Sequence, residues 1–341
     1  MFSDFETMAS FKIDKLDGKR VLITGGLGFV GSNLAIRCAE LGADITLFTN
    51  TLENMQNIVE IKDKVKIIMG DITKYSDVEK AIENKEIVFH LAAQTSNITS
   101  MEKPMLDIDV NLVGTMNVLE CCRKKNASAK IIFSGTCTQL GKTKTLPIHE
   151  NMKDKPLSVY EANKLVCENY LKIYHKAYGL YTTTLRFATL FGERQQLNSP
   201  RFGITNYFIG RIMKGEKIKV YGDGKFARDY NYIGNIVDAL LLSAQNPNAN
   251  GEVFLVGSNR KMYFVDMVKE VIKAMEEIMH KKGSFKFVEF PKEQSKIDVG
   301  DTLVDYSKIK EKLGWEPRIS FEEGIRRTIL FYKERFKDYP C

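Results

Sequence analysis

Thr24-Gly25-Gly26-Leu27-Gly28-Phe29-Val30-Gly31 joins a short apolar run, Val21–Thr24, to a stretch with helical apolar spacing, Phe29–Leu41. The glycines at 26, 28 and 31 spell GxGxxG, and those at 25, 28 and 31 spell GxxGxxG. Glycine is needed where the chain turns with positive φ and where backbone must come close to a pyrophosphate. A helix opening at Phe29 and Val30 then aims its free N–H groups and positive dipole end at the phosphates. GxGxxG alone is a weak sign, and its other reading is a glycine turn that binds nothing. A strand before it and a helix after it supply the context of a dinucleotide site.

Working outward, the same rhythm continues. Phe29–Leu41 stops at Gly42, a residue suited to ending a helix. Ile45–Phe48, Val65–Met69, Ile87–Leu91, Ile131–Ser134 and Thr182–Phe187 are apolar runs of strand length. Helical patterns separate them at Ser76–Ile82, Met105–Lys125 and Tyr160–Tyr178. Strands apolar on both faces and spaced by helices imply a parallel sheet covered on both sides. The expected fold class is therefore α/β, a Rossmann-type doubly wound parallel sheet, with a smaller C-terminal substrate-binding lobe. Residues 1–18 read as a loose N-terminal arm and 19–187 as an NAD(P)-binding domain. Residues 188–341 read mainly as the substrate lobe, with some later segments returning to the sheet. Helices are expected in that lobe at Asn206–Lys214, Ile236–Gln245, Phe264–Met279 and Phe321–Tyr332.

Composition narrows the class. With 341 residues, 44% hydrophobic and 27% charged, the chain can bury a large core, which argues against disorder. The net charge of +7 comes from 50 basic and 43 acidic residues scattered together. A nucleic-acid partner calls for a concentrated basic patch, so none is expected. The mild excess suits a phosphate-bearing substrate. No apolar run reaches membrane-spanning length and no membrane partner is expected. The six cysteines form no CxxC and no Cys/His set has zinc spacing, so no metal is expected. Free thiols and the lack of an apolar leader point to the cytoplasm. His90, His149, His175 and His280 are isolated and read as structural.

A dinucleotide site commonly carries an acid at the end of the second strand, bonding ribose hydroxyls. Here that end reads Phe48-Thr49-Asn50-Thr51, with neither acid nor base. Asn50 or Glu53 is the candidate ribose ligand. NAD is the expected cofactor, because nothing local supplies a counter-charge for a 2′-phosphate, and NADP stays open.

Tyr160-Glu161-Ala162-Asn163-Lys164 is a YxxxK. Positions i and i+4 share a helix face, so phenol and ammonium project together. A neighbouring Lys⁺ favours the phenolate and is expected to lower the tyrosine pKa. That makes Tyr160 a candidate general acid/base for a sugar hydroxyl. An exposed helix pair is the competing reading. The preceding strand ends in Ser134-Gly135-Thr136-Cys137-Thr138, a hydroxyl-rich strand end of the kind where such sheets place their sites. Glycine turn, strand-end hydroxyl and YxxxK, in that order, point to a redox site. Cys137 reads as a wall residue.

The order TGGLGFVG, GDIT (70–73), HLAAQ (90–94), FSGTCT, YEANK, LRFATLFGERQ (185–195) and GDGKFARDYNYI (222–233) resembles the extended short-chain dehydrogenase/reductase superfamily. Within it the chain is similar to the nucleotide-sugar epimerase/dehydratase family over residues 19–335, including LGWEP at 313–317. The resemblance implies that Asp71 and Ile72 hold the adenine, and that Leu91, Ala92 and Ala93 line the cofactor cleft. It implies Tyr160 as base, Lys164 as ribose ligand and phenolate stabiliser, and Thr136 as hydroxyl partner. Arg228 would grip the sugar-nucleotide diphosphate, and Thr138 and Thr189 would face the substrate. It also implies a homodimer built on a four-helix bundle from the helices near 105–125 and 160–178.

The same likeness separates reactions. Dehydratases and decarboxylases of the family carry an acid beside the catalytic hydroxyl, where this chain has Cys137 and Thr138. Thr138 and the RFxT ending in Thr189 resemble 4-epimerases, uronate-type ones most. A nucleotide-sugar epimerase, most simply a 4-epimerase working through a transient keto-sugar and bound NAD, is thus expected. The alternatives are a 4,6-dehydratase, a 2-epimerase, a 4-ketoreductase or, without chemistry, an NAD(P)-binding scaffold or sensor. Leu140, Glu193 and Asn163 depart from the family's usual residues.

Overall fold

The structure, a computed structural model, describes residues 11–290 and 295–339. Six strands lead into the fold: β1 (Arg20–Thr24), β2 (Asp44–Thr49), β3 (Val65–Met69), β4 (Ile87–His90), β5 (Lys130–Thr136) and β6 (Tyr181–Phe187). Six helices accompany them: α1 (Phe29–Glu40), α2 (Tyr75–Ile82), α3 (Asn97–Glu102), α4 (Pro104–Asp107), α5 (Gly114–Lys125) and α6 (Val159–Tyr178). With the strand Val253–Val256 they form a seven-stranded sheet in the order Val253–Val256, β6, β5, β4, β1, β2, β3. Every pairing is parallel. The expected doubly wound α/β fold is observed.

Successive strand residues face opposite sides of the sheet, and both sides are covered. Val21, Ile23, Ile45, Leu47 and Phe89 pack with Leu34, Ala35 and Cys38 of α1 and with Ile236 and Leu240 of the helix Ile233–Gln245. Leu22, Phe48, Val88, Ile131 and Phe133 pack with α2, α5 and α6 through Val78, Ile82, Val118, Leu119, Cys167 and Leu171. This is why the strands read as continuous apolar runs rather than alternating ones.

Two boundaries differ from expectation. The stretch expected as one helix, 105–125, is α4, then a π-helical segment over Ile108–Val113, then α5. The carbonyl of Asn111 in that segment accepts from Thr115 Oγ1 at 2.6 Å and from Cys167 Sγ at 3.2 Å, partners outside the regular helix ladder. The arm also proves tied down over its described part. Residues 1–10 lie outside the described residues, but Phe11 and Leu16 are buried in the core. The Arg318 guanidinium sits 3.3 Å over the Phe11 ring and donates to the Phe11 carbonyl at 2.5 Å.

Beyond residue 187 the chain builds a smaller lobe on the helices Ile204–Met213, Phe264–Met279 and Phe321–Arg335. Its core holds Phe191, Phe208, Phe264, Trp315 and Tyr332. The chain returns to the large sheet through Ile233–Gln245 and Val253–Val256. The short helix Ser307–Leu313 and three two-stranded ladders were not apparent from apolar spacing, being too short for a period to register. Among the described residues no helix is long and apolar enough to cross a membrane.

One buried ion pair fixes α6 to the sheet. Arg186 of β6 donates to both oxygens of Glu168, Nε to Oε2 at 2.7 Å and Nη2 to Oε1 at 2.8 Å, and it also reaches Asp154 at 3.1 Å. The Arg186 and Glu168 side chains are 3% and 0% exposed. Burial alone would raise the Glu168 carboxyl. The hydrogen bonds and charges of Arg186 and Lys172 outweigh it and hold the group below the ordinary carboxylate range. Removing one partner strands a buried charge, so Glu168→Ala should cost about 3–5 kcal/mol, read as a lowered midpoint in urea unfolding. Because the folded carboxyl is depressed, its contribution is present at neutral pH and should fade as pH falls through the lowered value. The difference between wild type and Glu168→Ala should therefore shrink in acid.

Candidate active site

The strands' carboxyl ends open onto a cleft of about 550 Å³. It lies where the sheet order reverses between β1 and β4, the place where such sheets bind ligands. The glycine turn forms one wall. Gly25 has φ +68°, and a Cβ on Gly31 would stand 2.3 Å from the Gly25 carbonyl oxygen, so only glycine lets α1 start against the turn. No side chain caps α1. Its first-turn amides, at Phe29 and Val30, face the cleft that these residues line.

The opposite wall of the turn is braced from β1 and β4. Thr24 Oγ1 accepts from the Leu91 and Ala92 amides, both at 3.0 Å, and lies 3.0 Å from His90 Nδ1. An oxygen already accepting twice has its proton left to give, so Thr24 donates to Nδ1. His90 Nε2–H then donates to Thr115 at 3.0 Å, and Thr115 donates to the Asn111 carbonyl. Burial, aided by the Lys164 charge, pushes His90 down to about 3, keeping it neutral. It is the structural histidine the sequence reading expected.

Nearly all the expected cofactor residues meet in this one cleft. Gly25, Gly28, Phe29, Val30, Gly31, Asn50, Asp71, Ile72, Leu91, Ala92 and Ala93 line it, as do Thr136, Tyr160, Lys164 and Thr189. Glu53 is exposed and outside its wall. Sequence reasoning missed Thr49, Thr51, Asn54, Asn57 and Arg194, which complete the end near Asn50. Arg194 has φ +68°, and its guanidinium donates to the Asn57 carbonyl and to Asn33 Oδ1, both at 3.0 Å. A non-glycine residue in that conformation has no sequence signature here. Asp71 is the carboxylate lining this end, its Oδ1 engaged by Thr73, and the Thr49–Thr51 segment itself offers hydroxyl and amide groups for a ribose.

At the other end, α6 presents its opening turn. Ser158 caps the helix, and Gly179 ends it at φ +70°. Lys164 Nζ donates to the Ser134 carbonyl at 2.9 Å and lies 5.9 Å from the Tyr160 ring centre. Burial pushes the ammonium down to about 8, against the opposing pull of Cys167 and Asp107. The expected lowering of Tyr160 is not what the structure has. Burial first, then the Asp107, Glu161 and Cys137 charges, raises the phenol above its ordinary value. The ammonium is bonded to Ser134 instead of the phenol, and three acidic groups oppose phenolate.

The departures from the family pattern have visible partners. Asn163 donates to buried Asp107 at 2.8 Å, which also takes the Gln94 amide at 2.6 Å, tying α6 to α4. Glu193 accepts from Tyr232 at 2.6 Å. Leu140 packs with Cys137, Ile148, Leu255 and Val304 beneath the site, so Cys137, expected on the wall, lies in the packed layer behind it, its thiol pushed by burial up to about 12.

Two expected substrate residues are not on the wall. Thr138 sits behind Thr136, with the hydroxyl oxygens 2.9 Å apart. Arg228 is paired with Asp298 at 3.1 Å, donates to the Ala227 and Gly300 carbonyls, and lies over the Phe226 ring. As it stands its guanidinium is engaged within the small lobe.

The comparisons with known proteins agree with this geometry. The family model for GDP-mannose 4,6-dehydratase matches residues 22–328. A UDP-glucuronate 4-epimerase from Thermodesulfobacterium geofontis is 30% identical over 327 residues, 93% of this chain and 97% of that one. The crystal structure of UDP-glucose 4-epimerase with UDP-glucose from Thermotoga maritima aligns with TM-score 0.83 at 31% identity, covering 93% of this chain and 99% of that one. That of Thermus thermophilus UDP-glucose 4-epimerase in complex with NAD aligns with TM-score 0.81 at 28% identity, covering 92% and 99%. A cleft assembled from glycine turn, strand-end threonine and YxxxK, together with a family match over most of the chain, places this protein in the GDP-mannose 4,6-dehydratase family of the extended short-chain dehydrogenase/reductase superfamily.

Proposed function

We propose that the protein is a nucleotide-sugar 4-epimerase that uses bound NAD. The observation that carries the reading is the single cleft that the glycine turn, Thr136, Tyr160 and Lys164 line together, with Asp71 the one carboxylate among the described lining residues. Asp71 belongs to the segment after β3, and its Oδ1 is taken by the Thr73 amide at 2.9 Å and hydroxyl at 2.8 Å. It is thus fixed away from Tyr160 and Thr136. Elimination of water needs a further acid at the sugar. Reversible exchange of one proton and one hydride at a single carbon does not.

The uncapped α1 and the glycine turn suit a pyrophosphate, and the neutral wall at Thr49–Thr51 suits an unphosphorylated ribose. NAD, when bound, takes the sugar's hydride and gives it back. The chain's part is to move the hydroxyl proton at Tyr160 and Thr136 and to hold the keto-sugar while it turns its other face. The phenol, raised by burial, would be easier to ionise with a cation beside it, and bound oxidised NAD would supply one. Lys164 steadies this end through Ser134. Thr189 lies on the wall for the sugar, and Thr138 supports it from behind. Arg228 takes the diphosphate once Asp298 releases it. Residues 19–187, joined by the returning segments Ile233–Gln245 and Val253–Val256, form the NAD domain, and the rest of the chain after 188 supplies the substrate side.

A homodimer is the assembly we favour. Met105, Leu106, Val113 and Ile173 are exposed within the stretches 105–125 and 160–178, which are expected to form a four-helix bundle. Such a row of apolar side chains is costly in water.

Three measurements test these readings. A panel of UDP-, CDP-, GDP- and dTDP-sugars followed by NMR should show inversion at C4, with no net consumption of NAD. Loss of water or carbon dioxide from the sugar, or stoichiometric use of NADH, would replace the epimerase with another member of the family. Tyr160→Phe should lower kcat by roughly 10²–10⁴ while NAD stays bound. The paired change Met105→Glu with Ile173→Glu should turn a dimer into a monomer by light scattering, and an unchanged mass would place the interface elsewhere.

A further inference from the structure

Apart from Thr189, the segment between β6 and the helix Ile204–Met213 has no role in the reaction as described so far. Yet residues 187–190, 194–196 and 202–203 all line the cleft, so this one segment forms a whole side of it. It leaves the sheet at β6 and crosses to α1 and to the turn after β2, a strand four places away in the sheet order. It is fastened twice, and the two fastenings differ in kind.

The first is buried. Arg194 has φ +68°, a conformation that a residue with a side chain keeps only where its surroundings dictate it. Its Nε donates to the Asn57 carbonyl and its Nη1 to Asn33 Oδ1, both at 3.0 Å, and its Nη2 pairs with Glu60 at 3.3 Å. The bonds are returned. Asn33 Nδ2 donates to the Glu193 carbonyl at 2.9 Å. Asn57 Nδ2 donates to the Leu27 carbonyl at 2.9 Å and to the Arg194 carbonyl at 3.3 Å. Leu27 belongs to the glycine turn, so the segment is tied to the loop that suits a pyrophosphate. The Arg194 side chain is 13% exposed.

The second fastening is open to water. Gln195 donates its amide to the Phe202 carbonyl at 2.7 Å, and next to Phe202 the side chain of Arg201 reaches α3. Its guanidinium meets both Glu102 oxygens at 3.0 Å and Thr99 Oγ1 at 3.3 Å. α3 belongs to the opposite side of the cleft. Thr95, just before it, lines the wall, and Asn97 is bonded to Glu161 of α6, the helix that carries Tyr160. Arg201 therefore joins the two sides. Its side chain and that of Glu102 are 41% and 49% exposed. An exposed ion pair is worth a factor of about five at most, whereas each buried bond to a charged group is worth a factor of about ten or more. One end of the segment is held firmly and the other lightly.

We propose that residues 193–203 are a strap that separates the traffic of cofactor from that of substrate. The Arg194 end stays fastened and retains NAD through many turnovers. The Arg201–Glu102 latch opens at each turnover to pass the nucleotide sugar in and its product out. Arg194 is a positioning residue: it binds strap, α1 and glycine turn into one wall and takes no part in the proton or hydride transfer. The proposal rests on the nucleotide-sugar reading for what passes the latch, and on the NAD site alone for what the firm end holds.

Release of labelled NAD from the loaded enzyme, chased with unlabelled NAD, tests the firm end. Arg194→Ala should speed release at least about tenfold. Asn33→Ala removes two of the same bonds and strands no charge, so it should fold even where Arg194→Ala does not, and it should speed release several-fold. Arg201→Ala should leave NAD release as in wild type and change the KM for UDP-glucose by no more than about fivefold. The latch is tested by holding it shut. All the described native cysteines are buried, so Glu102→Cys with Arg201→Cys can be bridged selectively by a reducible bis-maleimide. The bridge should stop conversion of UDP-glucose while NAD stays bound, and cleaving it should restore conversion. Unchanged NAD release in both Arg194→Ala and Asn33→Ala, an Arg201→Ala enzyme that sheds NAD as fast as Arg194→Ala, or a bridged enzyme that still turns over would overturn the proposal. A wild-type enzyme that leaves UDP-glucose unchanged counts against the substrate reading alone, and the NAD release rates still decide the strap.

Discussion

The bidentate contact between Arg186 and Glu168 governs the placement of everything reactive in this molecule. It joins β6 to the middle of α6, and α6 carries Tyr160, Glu161, Asn163 and Lys164 in its first turns. Two further polar ties fix the same helix near its start: Asn163 to Asp107 and the Ser158–Glu161 capping box. Apolar packing through Cys167 and Leu171 would hold α6 against the sheet but would tolerate sliding along it. Directional, desolvated bonds do not, because a shift of an ångström leaves a buried charge unmatched. The helix is thus held in register with the strand end that supplies Thr136.

Around that register the cleft is electrostatically quiet. His90 is neutral, Lys164 has lost part of its basicity, and the Tyr160 phenol is harder to ionise than in water. These shifts share one cause, removal of water from groups whose charged forms need it. A site in this condition is poised for a cation to enter. A single positive charge placed beside the phenol has a large effect where few other charges and little water compete with it.

The fold was legible because its signal is long and repeated. Five or six apolar runs alternating with helical ones leave little freedom, and the glycine turn marks where the sheet begins. The cofactor wall was legible for the same reason, since Gly25 to Gly31, Asp71 and Ala92 lie at strand ends that the topology brings together. What escaped reading depends on contacts between distant segments. The strand Val253–Val256 is four residues long and acquires its meaning from pairing with β6. The engagement of Arg228 by Asp298 joins residues seventy positions apart. The ammonium of Lys164 was expected to serve Tyr160 from helical spacing alone, but spacing does not reveal that the Ser134 carbonyl lies closer to hand.

The edge position of Val253–Val256 has a consequence for how the molecule comes into being. Its hydrogen bonds to β6 cover what would otherwise be the open margin of the sheet, and they reach back across some seventy residues that make up part of the smaller lobe. During synthesis the first six strands emerge well before their seventh, leaving an unsatisfied β6 margin available to any passing strand. The two lobes are for this reason interlaced along the chain and are not modules that could be cut apart at residue 187. Nascent chains of this protein have a window of vulnerability that closes only when residue 256 has left the ribosome.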